Sequence, residues 1–183
     1  MKLQKYFLWA SFLPAIAYWY LEENYTLQIA LIGGLILAVV EMSLEWIFTK
    51  HIHTLSKFNF YLILILGGIS LIANEGIWFK LQPFFTGLLM GGYLLYRIWK
   101  KESLMVEMMK SMHSQSMPDE IIIFIERNMS VFLISYGFFM GFIALNLPTD
   151  TWLFFKTGGF YIVTIIFFII QMVFIRKRIK GLQ

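Results

Sequence analysis

Six long, unbroken apolar stretches constrain this chain more than any other feature. They run at about Tyr6–Leu21, Leu27–Phe48, Phe58–Ala73, Trp78–Tyr96, Val131–Leu147 and Trp152–Ile175, with short polar gaps between most of them. A helix crossing about 30 Å of hydrocarbon takes roughly 20 residues, with about 17 as a practical minimum. The runs are continuous rather than alternating every second residue, which argues against a membrane β-barrel. Composition agrees: 59% of residues are hydrophobic and 14% are charged, a balance that soluble domains do not approach. The first and third runs are short, and Trp9, Trp19, Tyr20, Phe58 and Tyr61 supply aromatics that settle at headgroup level. The predicted fold is therefore all-α. It is a polytopic transmembrane helical bundle of six spans in three hairpins, a single membrane domain over residues 1–183.

Charge orients the bundle. Of 15 Lys and Arg residues, all but Lys80 and Lys156 fall in alternate gaps. Basic residues near spans are retained in the cytoplasm, so both termini are expected there. The net charge of +4 follows from this topology and gives no case for nucleic-acid binding, since the basic residues form no single patch. The absence of cysteine excludes disulfides and thiolate chemistry. Lys2 and Lys5 before an apolar run, with Ala15-Ile16-Ala17 behind it, have the outline of a signal peptide. The bulky Tyr18-Trp19-Tyr20 argue against cleavage, and the run is read as a retained first span.

The second and third hairpins look related. Glu75, Trp78 and Lys80 stand at one outer turn as Asp150, Trp152 and Lys156 stand at the other. Gly87-x3-Gly91 in the fourth span has a counterpart in Gly137-x3-Gly141 in the fifth. Such spacings mark close helix packing, inside the bundle or in a homo-oligomer. The one sizeable polar segment is the inner connection, residues 97–130. Within it Leu104, Met105, Met108, Met109 and Met112 follow helical spacing opposite Ser103, Glu107, Lys110 and Ser111. That predicts a short cytoplasmic amphipathic helix. Ser116 and Pro118 then open another helix, with Asp119 and Glu120 in its first turn, which can run on into the fifth span with a bend near Asn128.

Glu41 and Glu45 sit one turn apart on one face of the second span. Glu41 is roughly 10 Å inside the inner end, where an ionised acid must face the bundle and find a partner. One reading is a proton or cation site. The other, which we favour, is a structural polar contact, with Arg97 near Glu45 and Gln171 or Tyr93 near Glu41. Trp78, Lys80, Trp152 and Lys156 are candidate outer-leaflet anion or lipid contacts, against simple snorkelling of the lysines beside their tryptophans. Topology assigns the two glutamates to the inner side and these lysines to the outer, so no single site is expected to combine them. His51, His53 and His113 lack the spacing and companions of a metal centre. No nucleophile–base pair or phosphate-cradling loop points to an enzyme or a cofactor.

Three local patterns stand out: Phe12-Leu13-Pro14, Gly67-Gly68-Ile69-Ser70-Leu71 with Asn74-Glu75, and Pro148-x3-Trp152-x2-Phe155-Lys156-x2-Gly159. Together they resemble the intracellular septation protein A family of bacterial inner-membrane proteins. The chain departs from that family's strongly basic run after the second span, having Thr49-Lys50-His51-Ile52-His53-Thr54 there. The resemblance implies a noncatalytic role in septation and cell-envelope maintenance, in contact with division and envelope-synthesis membrane proteins. It carries over no catalytic residues. Docking of such partners is expected on the face formed by Leu104, Met105, Met108, Met109 and Met112, and on glycine-lined faces. The alternatives are a small proton- or ion-coupled transporter or channel using Glu41, and a lipid-binding membrane protein.

Overall fold

Pro83, Pro118 and Pro148 stand at helix starts, where a missing N–H costs little, so the long apolar runs between them are free to be helical. The computed structural model describes residues 13–50, 54–111 and 118–180. The beginning of the first span, the three histidines, Met112 and Ser116 lie outside them. The described helices are α1 (Leu13–Asn24), α2 (Leu27–Thr49), α3 (Thr54–Ala73), α4 (Ile77–Lys80), α5 (Gln82–Trp99), α6 (Leu104–Ser111), α7 (Asp119–Asn146), α8 (Thr149–Phe154) and α9 (Phe160–Lys180), with a π turn over Phe155–Gly159 between the last two.

The protein is all-helical over these residues, and the stretches Leu27–Phe48, Ser56–Ala73, Asp119–Asn146 and Thr149–Arg176 are long and apolar enough to cross a membrane. Only 11% to 33% of the residues in their most apolar windows are buried, so most of this surface needs lipid as its solvent. The other two expected spans do not meet that standard. The described part of α1 has 12 residues, and the fourth apolar run is interrupted after Lys80. Pro83 has no N–H to offer the Phe79 carbonyl, and its ring crowds that carbonyl, which splits the run into α4 and α5.

Two helices end in Schellman motifs without glycine. Asn74 and Lys101 take φ of 53° and 64°. Glu75 N–H then reaches Ser70 O at 3.0 Å, and Glu102 N–H reaches Arg97 O at 2.9 Å. The fifth span starts well before Val131, and α7 passes through Asn128 as helix. The Asn128 side chain is engaged by Gln171 rather than by the local backbone. In the last span, Thr157 Oγ1 donates to Leu153 O at 2.8 Å. That hydroxyl and the Gly158-Gly159 pair weaken the α-helical ladder where the π turn forms.

The chain forms two compact units. One comprises 1–83 and 140–157, the other 84–139 and 158–183. The core of the first is built from Tyr18, Ala30, Leu31, Ala38, Ile63, Leu66, Phe79 and Trp152, all buried. In the second, α5 and α7 touch backbone to backbone. A Cβ on Gly87 would stand 2.5 Å from Leu133 O and 2.8 Å from Gly137 Cα, and one on Gly91 would stand 2.7 Å from Ser130 O. Gly87, Gly91 and Gly137 are thus consumed in packing within the chain and offer no face to a neighbour.

Candidate functional site

The first unit holds a ladder of polar groups among its apolar helices. At one end Tyr18 stacks on Phe79, with ring centroids 4.6 Å apart, and meets Trp152 edge-on at 6.1 Å. Its hydroxyl donates to Glu22 Oε1 at 3.0 Å, and the same oxygen pairs with Lys80 Nζ at 2.9 Å. Lys80 Nζ also donates to Thr149 Oγ1, while the Lys80 carbonyl accepts from Trp152 Nε1 at 2.8 Å. Trp19 Nε1 donates to Asp150. Nearby, Ser70 Oγ accepts from Phe79 N–H at 2.9 Å and so satisfies an orphan amide at the start of α4.

The next rungs lie around Lys156, which the π turn carries. Its ammonium stands over the Trp152 ring at 4.7 Å and the Phe79 ring at 5.6 Å, and it donates to Gln82 Oε1 at 2.7 Å. Gln82, buried, passes its Nε2 to Asn59 Oδ1. Asn59 in turn lines a small cavity of about 10 Å³ with Glu41, Glu45 and Ser56, about the room one water needs. Glu41 lies within electrostatic range of Lys156. The expectation that no site combines Glu41 with an outer lysine is corrected here. The topological argument counted residues from helix ends and gave Lys156 no inward route, whereas Gln82 and Asn59 supply one.

Lys80, Trp152 and Lys156 thus all have partners inside the chain, and Trp78 stays 36% exposed at the edge of the unit. Arg97, expected near Glu45, holds Glu107 at 2.6 Å and the Glu102 carbonyl at 3.0 Å. Hydrogen bonds that it donates to Tyr93 and Glu107 push its pKa up. Gln171, expected near Glu41, accepts from Asn128 at 2.9 Å.

The second unit contains a residue that sequence reasoning missed. Glu126, fully buried in α7, reaches the start of α6. Its carboxylate accepts from the Ser103 hydroxyl, from Leu104 N–H at 3.1 Å and from Met105 N–H at 3.3 Å. Ser103 Oγ meanwhile accepts from Val106 N–H at 3.2 Å. An anion on free amides at a helix N-terminus is favourable twice over, through hydrogen bonds and through the dipole. Val106 is buried, whereas Leu104, Met105 and Met109 are half-buried. The one available signal was Ser103 as a cap before an apolar repeat. The local partner that would complete a capping box is absent, because the third helical position is Val106.

An all-helical chain whose apolar helices suit a bilayer, tied internally by buried polar rungs, defines a polytopic membrane protein. The family model for intracellular septation protein A matches residues 7–181, and the chain belongs to that family. It is similar to the inner membrane-spanning protein YciB of Klebsiella pneumoniae, with 22% identity over 92% of this chain and 93% of that one. It is also similar to the protein of the same name from Yersinia pestis, with 22% identity over 94% of this chain and 96% of that one. These relatives carry the name of a membrane protein and not of an enzyme. No solved structure matches the chain.

Proposed function

We propose that the protein is a noncatalytic inner-membrane scaffold that supports septation and envelope maintenance by docking other membrane proteins. In this reading the chain crosses the membrane six times as three hairpins, with both termini cytoplasmic, as the alternating basic gaps require. The docking element is α6. The observation that carries the reading is the clasp at its N-terminus: Glu126 holds Ser103, Leu104 and Met105, and Arg97 holds Glu107. A helix anchored in this way keeps Leu104, Met105 and Met109 half-open, and methionine surfaces adapt to varied partners. The single-water size of the cavity beside Glu41 supports a structural use of the polar ladder over ion passage.

The test is a combined Met105→Ser, Met108→Ser, Met109→Ser and Met112→Ser variant carrying a photo-cross-linker in α6. Loss of captured membrane partners together with a septation defect is expected, at unchanged thermal stability. Undiminished capture and normal division would overturn the docking role.

A further inference from the structure

Two facing amides join α7 to α9 in the second unit. Asn128 Nδ2 donates to Gln171 Oε1 at 2.9 Å. Gln171 is only 4% exposed, and its own Nε2 finds no acceptor among the described residues. A buried donor left open is rare in native proteins, and in a bilayer no water is at hand to relieve it. The amide lies in the wall of a groove of about 530 Å³, lined also by Asn128 and Ser135 and otherwise by Phe124, Phe132, Phe167 and neighbouring apolar side chains. That volume falls within the roughly 300–1,000 Å³ of small-ligand sites. The groove opens outward, because Val131, Ile170 and Phe174 along it are exposed. At the Phe124 end the Arg127 guanidinium lies 5.6 Å from that ring's centroid.

We infer that this groove seats an acyl chain of a glycerophospholipid, whose ester carbonyl accepts the Gln171 Nε2 hydrogen and whose phosphate meets Arg127. Each part of the lipid answers one part of the groove. The chain matches the rings, and the ester oxygen is an acceptor that carries no donor of its own. A phosphate is an anion that a guanidinium can bind through two parallel hydrogen bonds. A transmembrane helix would suit the walls, but its backbone carbonyls are already spent on its own hydrogen bonds. This site is separate from α6 and stands whether or not α6 docks partners.

The full-length protein, stripped of lipid in detergent, is titrated with diester phosphatidylglycerol, its diether analogue and diacylglycerol, and read by native mass spectrometry. The diester should bind roughly tenfold more tightly than the diether, which lacks the carbonyls. Gln171→Leu should erase that preference. Arg127→Gln should weaken the phospholipid and leave diacylglycerol unchanged. The ester–ether comparison on the unaltered chain stands even if a variant misfolds. Equal binding of diester and diether by the unaltered chain would overturn the inference. So would a polypeptide cross-linked at Val131 in place of lipid.

Discussion

Lys156 and Gln82 meet at 2.7 Å across 74 residues of sequence. Through that contact the last apolar segment is tied to the polar side chains of α2 and α3. Gln82 gives its carbonyl to Lys156 and its amide to Asn59. Replacing it with leucine leaves an ammonium and an amide oxygen short of partners, at a cost of about 1–3 kcal/mol. Gln82→Leu should therefore lower unfolding stability in detergent by that amount. An unchanged midpoint would mean that water replaces both bonds.

Glu41 and Lys156 should also report on each other. Because Glu41 borders the cavity that Asn59 lines, and Gln82 joins Asn59 to Lys156, Glu41→Gln and Lys156→Met are expected to be less costly together than the sum of the single changes. A coupling of about 0.5–3 kcal/mol in a double-mutant cycle is the expected result. Simple additivity would show that the two charges are independent.

Removing the Glu126 carboxylate should loosen α6 at its first turn. Glu126→Ala costs about 1–2 kcal/mol of capping free energy. The Leu104 and Met105 amides should then exchange with deuterium roughly 5–30-fold faster, while those in the middle of α7 stay protected. Retained protection at Leu104 and Met105 would assign the start of α6 to some other anchor.

Gly87→Ala and Gly92→Ala form a matched pair. The first would drive a Cβ to 2.5 Å from Leu133 O, and the second meets nothing within 4 Å. Overpacking against backbone should cost about 1–3 kcal/mol at Gly87. At Gly92 alanine should be neutral or slightly stabilising, since it is the better helix former. Equal thermal stability of the two variants would dissolve the backbone contact between α5 and α7.

The helices were legible because apolar length and proline position act locally. Leu27–Phe48 was read within a residue of α2, and Gly87 and Gly137 announced their packing by spacing alone. Glu41 and Lys156 were each legible as a residue needing explanation, but their connection was not. It runs through Asn59 and Gln82, neutral side chains with no pattern of their own. Glu126 was illegible for a related reason: it caps α6 from 22 residues downstream of Leu104, beyond any local motif. The π turn depends on how Thr157 bonds its own backbone, which hydropathy does not encode.

That turn makes the last segment sensitive to length in a way that side-chain chemistry alone would not be. A π turn accommodates one residue more than an α turn, and each residue advances about 100° around the axis. Phe155–Gly159 therefore sets the direction in which Lys156, carried by the turn, reaches Gln82. Deleting Gly158, whose removal takes away no side-chain contact, would rewind the turn to regular helix. The residues of the turn itself would shift in register by about a quarter of a revolution. The segment is thus keyed like a two-bitted lock, able to absorb many changes of residue and very few changes of count.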